Sequence, residues 1–150
     1  MKYIYGILAF FYFTCSSAQS DLVDQWYRID DRTQNPIDTD MPTQDSTILE
    51  VKELSGDLVG ILIRIPKTSV DYGYAVGQIK WKNFKKTGDS SFELEGLLME
   101  QGVSGKFDMP SYLIVYMQLV DNKNTILLWT DNQGDRFNWA KQKWIRLPRI

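Results

Sequence analysis

The side chains able to do chemistry in this chain are few, and their types set narrow limits. Its 150 residues hold no histidine and a single cysteine, Cys15, so catalysis would fall to carboxylates, lysine, tyrosine or an activated hydroxyl. Glu93 and Glu95 form the best carboxylate pair. Residues two apart on a strand lie about 6.6 Å from each other, near the roughly 6.5–9.5 Å that inverting glycosidases use. A working pair also needs a cleft and a raised pKa, and alternate acids on a strand are ordinarily its wet face, which is the reading preferred here. Gly102-Val103-Ser104-Gly105 approaches the Gly-x-Ser-x-Gly nucleophile elbow, but Lys106 takes the final glycine position and no histidine exists to act as base. No serine is followed three residues later by lysine. The chain is therefore expected not to be an enzyme.

Metal chemistry is equally restricted. Asp38, Asp40 and Asp45 could offer oxygens to calcium, yet the segment lacks the spacing and the distal bidentate glutamate of a calcium loop. A solvated acidic loop is the default. Transition metals want nitrogen and sulfur side chains, which are essentially missing, so no metal and no cofactor are expected.

The aromatic set is more informative. Trp26, Trp81, Trp129, Trp139 and Trp144, with Tyr112 and Tyr116, either fill a core or line an apolar cavity with a polar rim. Burial preference favours core. Tyr112, Ile114 and Tyr116 alternate with Leu113, Val115, Met117 and Leu119, so both faces of that strand are apolar. Such a strand is expected to be covered on both sides by a helix, a loop, a partner or a ligand. Trp81, Tyr112, Tyr116 and Trp129 are accordingly the proposed ligand contacts.

These residues sit on a regular series of short apolar segments. Strands are predicted over 24–30, 47–54, 58–65, 76–84, 91–99, 111–120, 125–130 and 137–147, a spacing typical of a sandwich or barrel. Ser55-Gly56-Asp57, Thr87-Gly88-Asp89 and Asp121-Asn122-Lys123-Asn124 separate successive strands, and Asn132-Gln133-Gly134-Asp135 precedes the last. These residue types suit tight hairpins, so an antiparallel meander follows. Phe92, Leu94 and Leu98 should face the core, with Glu93 and Glu95 outward. Val59, Ile61, Ile63 and Ile65 give a similar face, with Arg64 opposite but Leu58 and Leu62 opposite as well. Phe137 and Trp139 fit a strand, Phe137, Ala140 and Trp144 fit a helix, and a strand bulged near 140–142 is preferred. Residues 31–45, with Pro36 and Pro42, form the longest connection, read as a mobile loop or lid over the barrel mouth.

The first twenty residues read as an export signal. Lys2 precedes an apolar run from Tyr3 to Phe13, and Ser16-Ser17-Ala18 offers a cleavage site, so 1–18 is taken as a signal peptide and 19–150 as one domain. The product would be periplasmic or extracellular. Lipid anchoring at Cys15 is the weaker alternative, because Thr14 follows bulky Phe13 where a small residue is usual. The apolar run has about eleven residues where a spanning helix needs roughly 20, so no integral span is expected. Formal charge is −2, and a weakly acidic chain lacks the basic footprint of a nucleic-acid binder. Lys80, Lys82, Lys85 and Lys86 are the local exception, read as a solvated strand edge that resists aggregation.

Taken together, the chain resembles a small lipocalin-type (calycin) barrel. The resemblance rests on Asp24-Gln25-Trp26, placed where those barrels carry Gly-x-Trp, and on Trp144-Ile145-Arg146, similar to their closing aromatic and arginine. It implies that Trp26 and Arg146 pack together and seal one barrel end, a structural role. The chain is also similar to small secreted bacterial domains ending in Trp-x-Arg. The expectation is an all-β antiparallel meander of about eight strands closed into a barrel. Its function would be to bind a small apolar or amphipathic ligand; the alternative is an envelope protein-interaction or structural domain with a filled barrel.

Overall fold

Alternating apolar residues give each segment one inward face, and tight turns return the chain beside its predecessor. A computed structural model describes residues 21–29, 46–130 and 142–148. Its strands are β1 (Asp24–Ile29), β2 (Ile48–Leu54), β3 (Asp57–Arg64), β4 (Ile79–Lys86), β5 (Ser91–Gln101), β6 (Phe107–Val120), β7 (Thr125–Trp129) and β8 (Gln142–Arg146). They pair antiparallel in chain order, and β8 returns to β1 to close the barrel. Closure removes the edges that an open sheet would present. A five-residue helix, α1 (Lys67–Asp71), lies in the β3–β4 connection.

The two ends of the barrel differ. At one end the turns are tight: Ser55 and Gly56 take positive φ between β2 and β3, as do Asp121, Asn122 and Lys123 between β6 and β7. Left-handed residues of this kind match hairpin twist. Leu22, fully buried, plugs this end. The opposite end receives the longer 65–78 connection and the tip of the β5–β6 hairpin. The chain also leaves β1 at Ile29 and re-enters β2 through Ser46 and Thr47 on that side.

A continuous core fills the tight-turn half. Trp26, Leu49, Val51, Leu58, Trp81, Phe92, Leu94, Val115, Met117, Leu119, Ile126, Leu128 and Trp144 all belong to it. The indoles of Trp81 and Trp144 meet edge to face at 5.0 Å, a favourable aromatic geometry. Trp81 is bracketed in register by two glycines, Gly60 on β3 and Gly96 on β5. A Cβ at Gly60 would lie 2.9 Å from Leu49 Cδ2 and 3.0 Å from Trp81 Cβ. The glycine is what lets the tryptophan lie against β3.

Three sequence expectations need correction. On β3 the inner face is not Val59, Ile61, Ile63 and Ile65. Cross-strand partners share a face, and Gly60 pairs with core residues Val51 and Trp81, so Leu58, Gly60 and Leu62 point inward. The predicted start of the fourth strand at 76 moves to Ile79, because Gly77, with φ +90°, still belongs to the connection. Lys80 does not stand on a solvated edge: it is buried, at 8% exposure. Between Gly60 and Ile61 the β3–β4 register skips from Trp81 to Ile79, which sets Lys80 at a bulge, and Tyr74 of the 65–78 connection covers its ammonium. The loop over 31–45, the turn at 132–135 and the bulge near 140 lie outside the described residues, as does Trp139.

Candidate functional site

At the sealed end the strand register places Trp26 opposite Arg146. The guanidinium carbon of Arg146 lies 4.5 Å from the Trp26 ring centre. Its Nη1 donates to Asp24 Oδ2 at 2.7 Å, and Nη2 donates to the carbonyls of Asp21 and Lys123, each at 2.7 Å. Trp26 Nε1 donates to the Leu22 carbonyl at 3.0 Å. Asp24, which stands at the glycine of the resembled motif, thus supplies the counter-charge. Every group here is occupied by the protein itself, so this end holds the barrel shut.

The four proposed ligand contacts do not converge. Trp81 points inward and is 1% exposed. Tyr112, Tyr116 and Trp129 alternate with core residues Val115, Met117 and Leu128 and therefore share the outer face. There Tyr112 donates its hydroxyl to the Ile79 carbonyl at 2.9 Å and lies 3.6 Å beneath the Lys82 ammonium. Tyr116 stacks on Trp129 across the β6–β7 pair, with centroids 6.2 Å apart. Ile114, between them in sequence, is half exposed, so the outer side of β6 is covered only in places.

Glu93 and Glu95 also face outward. Glu95 accepts from Asn83 Nδ2 at 2.9 Å and pairs with Lys82 at 3.3 Å. Those contacts, Asn83 foremost, hold its carboxyl below the usual range, the reverse of what a general acid requires. A groove of about 470 Å³ runs outside β1 and β2 beside Leu147 and Pro148. Its charged groups are engaged within the protein: Lys52 with Glu50, and Asp24 with Arg146. Among the described residues no three metal-binding side chains come together.

The buried contacts of the opposite end are the part that sequence reasoning missed. Arg28 alternates with Trp26 along β1 and sits opposite core residue Trp144, which directs it inward. Lys80 lies at the β4 bulge. Its Nζ donates to the Leu97 carbonyl at 2.6 Å and to the Tyr74 hydroxyl at 3.2 Å, and stands 4.3 Å from the Tyr74 ring centre. Burial lowers the Lys80 amine to about 7, and the nearby Arg28 charge acts in the same direction. Burial likewise pushes the Tyr74 phenol up, while a hydrogen bond with the Met99 backbone and the Arg28 charge pull the other way. Lys80 and the Tyr74 phenol thus meet in a buried contact that the Arg28 charge reaches. Gly73 anchors the connection that carries Tyr74. It lies so close to the Phe107 carbonyl that no Cβ fits, and Tyr72 meets the Phe107 ring edge-on at 4.9 Å.

Sequence alone offers a weak signal for this cluster. Lys80 precedes Trp81 directly, so strict alternation puts one of them on the outer face; both are nonetheless buried, Lys80 at the bulge and against Tyr74. Against known proteins, the chain matches no family model, no curated protein and no solved structure. What the structure itself supplies is the class: a closed, eight-stranded antiparallel β-barrel, consistent with a lipocalin-like fold. No helix among the described residues is long and apolar enough to cross a membrane.

Proposed function

We propose that this barrel is an exported, non-enzymatic, lipocalin-like module that binds a small amphipathic ligand. One observation carries the reading: Lys80 is buried at one barrel end against the Tyr74 hydroxyl and the Leu97 carbonyl, within reach of the Arg28 charge, while the other end is sealed. Ligand sites combine apolar walls with a few convergent polar groups. Trp81 is the one contact proposed from sequence that faces this region. Export rests on the residues at 1–18.

Native mass spectrometry of protein purified from its own source tests the proposal. A retained small molecule, released on denaturation, is the expected result. An empty barrel that also fails to bind a panel of single-chain amphiphiles would overturn it. The alternative, an envelope interaction or structural domain with a filled barrel, draws on the tightly packed core and on exposed Val70, Tyr72, Val76, Val103 and Met109 near the wider end. It would show in the same spectrum as a stable complex with protein and no small molecule.

A further inference from the structure

We infer that residues 65–78 form a strap that opens separately from the barrel, with the Lys80 amine as a latch that protonation releases. The strap is a property of the chain alone and needs no ligand. Within it, the amides of Ser69 and Val70 bond to the Pro66 carbonyl, Tyr72 to Thr68, Gly73 to Val70 and Tyr74 to Ser69. These bonds close on the segment itself, and α1 buries none of its residues. Val70, Tyr72 and Val76 stand exposed. A segment with so little buried apolar surface opens at lower cost than the ladders around it. Its far end stays tied to β3, where Gly77 donates to the Leu62 carbonyl at 2.8 Å and Leu62 donates to the Gln78 carbonyl at 3.0 Å. Across the barrel end, Tyr72 meets Phe107 edge-on, and Gly73 lies against the Phe107 carbonyl and Met99. The latch lies where the β4–β5 ladder stops, at Trp81 and Gly96. Just past that point the Leu97 carbonyl accepts from Lys80 Nζ at 2.6 Å and from the Tyr74 hydroxyl at 3.4 Å. Lys80 Nζ also donates to that hydroxyl at 3.2 Å, with the Tyr74 ring centre 4.3 Å away. Groups from β4, β5 and the strap thus close a triangle, and Tyr74 is the side that lifts away when the strap opens.

Under the closed strap Lys80 is 8% exposed, and burial holds its amine at about 7 against an ordinary 10.5. β1 brings the Arg28 charge, which acts in the same direction, and the strap brings the Tyr74 phenol, which burial pushes up. β5 offers the uncharged Leu97 carbonyl, while Glu95 on that strand pairs with Lys82 of β4. Arg64, at the end of β3, donates to the Ser46 carbonyl, and Lys67 and Asp71 of α1 are exposed. Opening gives Lys80 water, so between pH 7 and 10.5 the open form binds the extra proton. Raising the pH therefore favours the closed strap, by about fivefold from pH 7 to 8 and about tenfold from pH 8 to 9. Below pH 7 the amine becomes protonated in both forms, and the balance moves by no more than about twofold.

Pulsed amide hydrogen exchange of the ligand-free protein at pH 6, 7, 8 and 9, each rate divided by that of an unstructured chain, tests the strap. The Gly73 and Tyr74 amides should be far less protected than the β5–β6 ladder, and low urea should leave their protection unchanged while it lowers that of the ladder. Their protection should stay nearly flat from pH 6 to 7 and then climb by the factors above. Strap and ladder amides sharing one protection and one urea dependence would show that the strap does not open by itself. Separate opening with no climb above pH 7 would remove Lys80 as the latch. In Lys80→Met the climb should vanish from the strap amides, and its persistence would equally refute the assignment. Should that variant not fold, Tyr74→Phe keeps the amine and the ring but deletes the hydroxyl. It should lower strap protection at pH 9 by about tenfold, the worth of one hydrogen bond, and leave the ladder unchanged; unaltered strap protection would refute the latch.

Discussion

Replacing Arg146 with leucine is the sharpest test of how the barrel is held shut. The leucine keeps most of the packing over Trp26 but removes every donor of the guanidinium. Asp24, whose side chain is only 10% exposed, would lose its 2.7 Å partner, and the carbonyls of Asp21 and Lys123 would lose theirs. An exposed ion pair is worth about 0–1 kcal/mol, whereas orphaning one member of a buried pair costs about 3–5 kcal/mol. Arg146 is 20% exposed, which places this pair between those limits, at about 2–4 kcal/mol. For a chain of this length such a loss lowers Tm by roughly 10 °C. Urea denaturation followed by tryptophan fluorescence reads the change directly. Arg146→Lys keeps the charge without the planar fork and should fall between the wild type and the leucine variant. A double-mutant cycle with Asp24→Asn should show coupling above about 1 kcal/mol. If Arg146→Leu shifts stability by less than about 0.5 kcal/mol, as an ordinary surface change does, the seal is not what closes the barrel.

Other substitutions probe the interior. Lys80 titrates at about 7 folded against an ordinary 10.5, so between those values the unfolded chain binds more protons. Stability should therefore climb as pH rises from about 7 to 9, by at most about 1.4 kcal/mol per unit from this group, and level off below 7. The slope should shrink in Lys80→Met, and identical urea midpoints across pH in both proteins would contradict the burial argument. Gly60→Ala pushes a Cβ against Leu49 and Trp81 and should cost about 1–3 kcal/mol by overpacking; a neutral result would mean that Trp81 does not need the glycine. Gly73→Ala adds a Cβ at φ +79° against the Phe107 carbonyl, so the Gly73 and Tyr74 amides, bonded to Val70 and Ser69, should exchange faster while the β5–β6 ladder stays protected. Protection lost throughout the barrel would show that the connection is not separable from it.

Much of the fold is legible in local patterns because a strand's period of two and a turn's need for positive φ are set by neighbouring residues. Ser55-Gly56 and Asp121-Asn122 mark their hairpins, and Phe92, Leu94 and Leu98 are buried as their alternation implies. The reading of β3 fails for a definite reason. Val59, Ile61 and Ile63 are more hydrophobic than Gly60, yet Gly60 faces inward because a tryptophan twenty-one positions later needs its space. Side-chain hydrophobicity cannot register a requirement that belongs to another strand. The aromatic residues fail similarly: Tyr112, Tyr116 and Trp129 look like cavity lining, but alternation with the core sends them outside.

By itself, the sequence determined that the chain would form an antiparallel meander of short strands and that imidazole and thiol chemistry lay outside its reach beyond Cys15. Those properties follow from residue type and local period. Closure of the barrel, the meeting of Trp26 with Arg146 across 120 residues, and the burial of Lys80 beside Arg28 were decided only in three dimensions. The register between β3 and β4 slips by one residue at the bulge, and a slip of one residue reverses which side of the sheet a side chain occupies. That single step, invisible in the spacing of Lys80 and Trp81, sets Lys80 at a bulge where Tyr74 and the Leu97 carbonyl bury an ammonium that a solvated edge would have left in water.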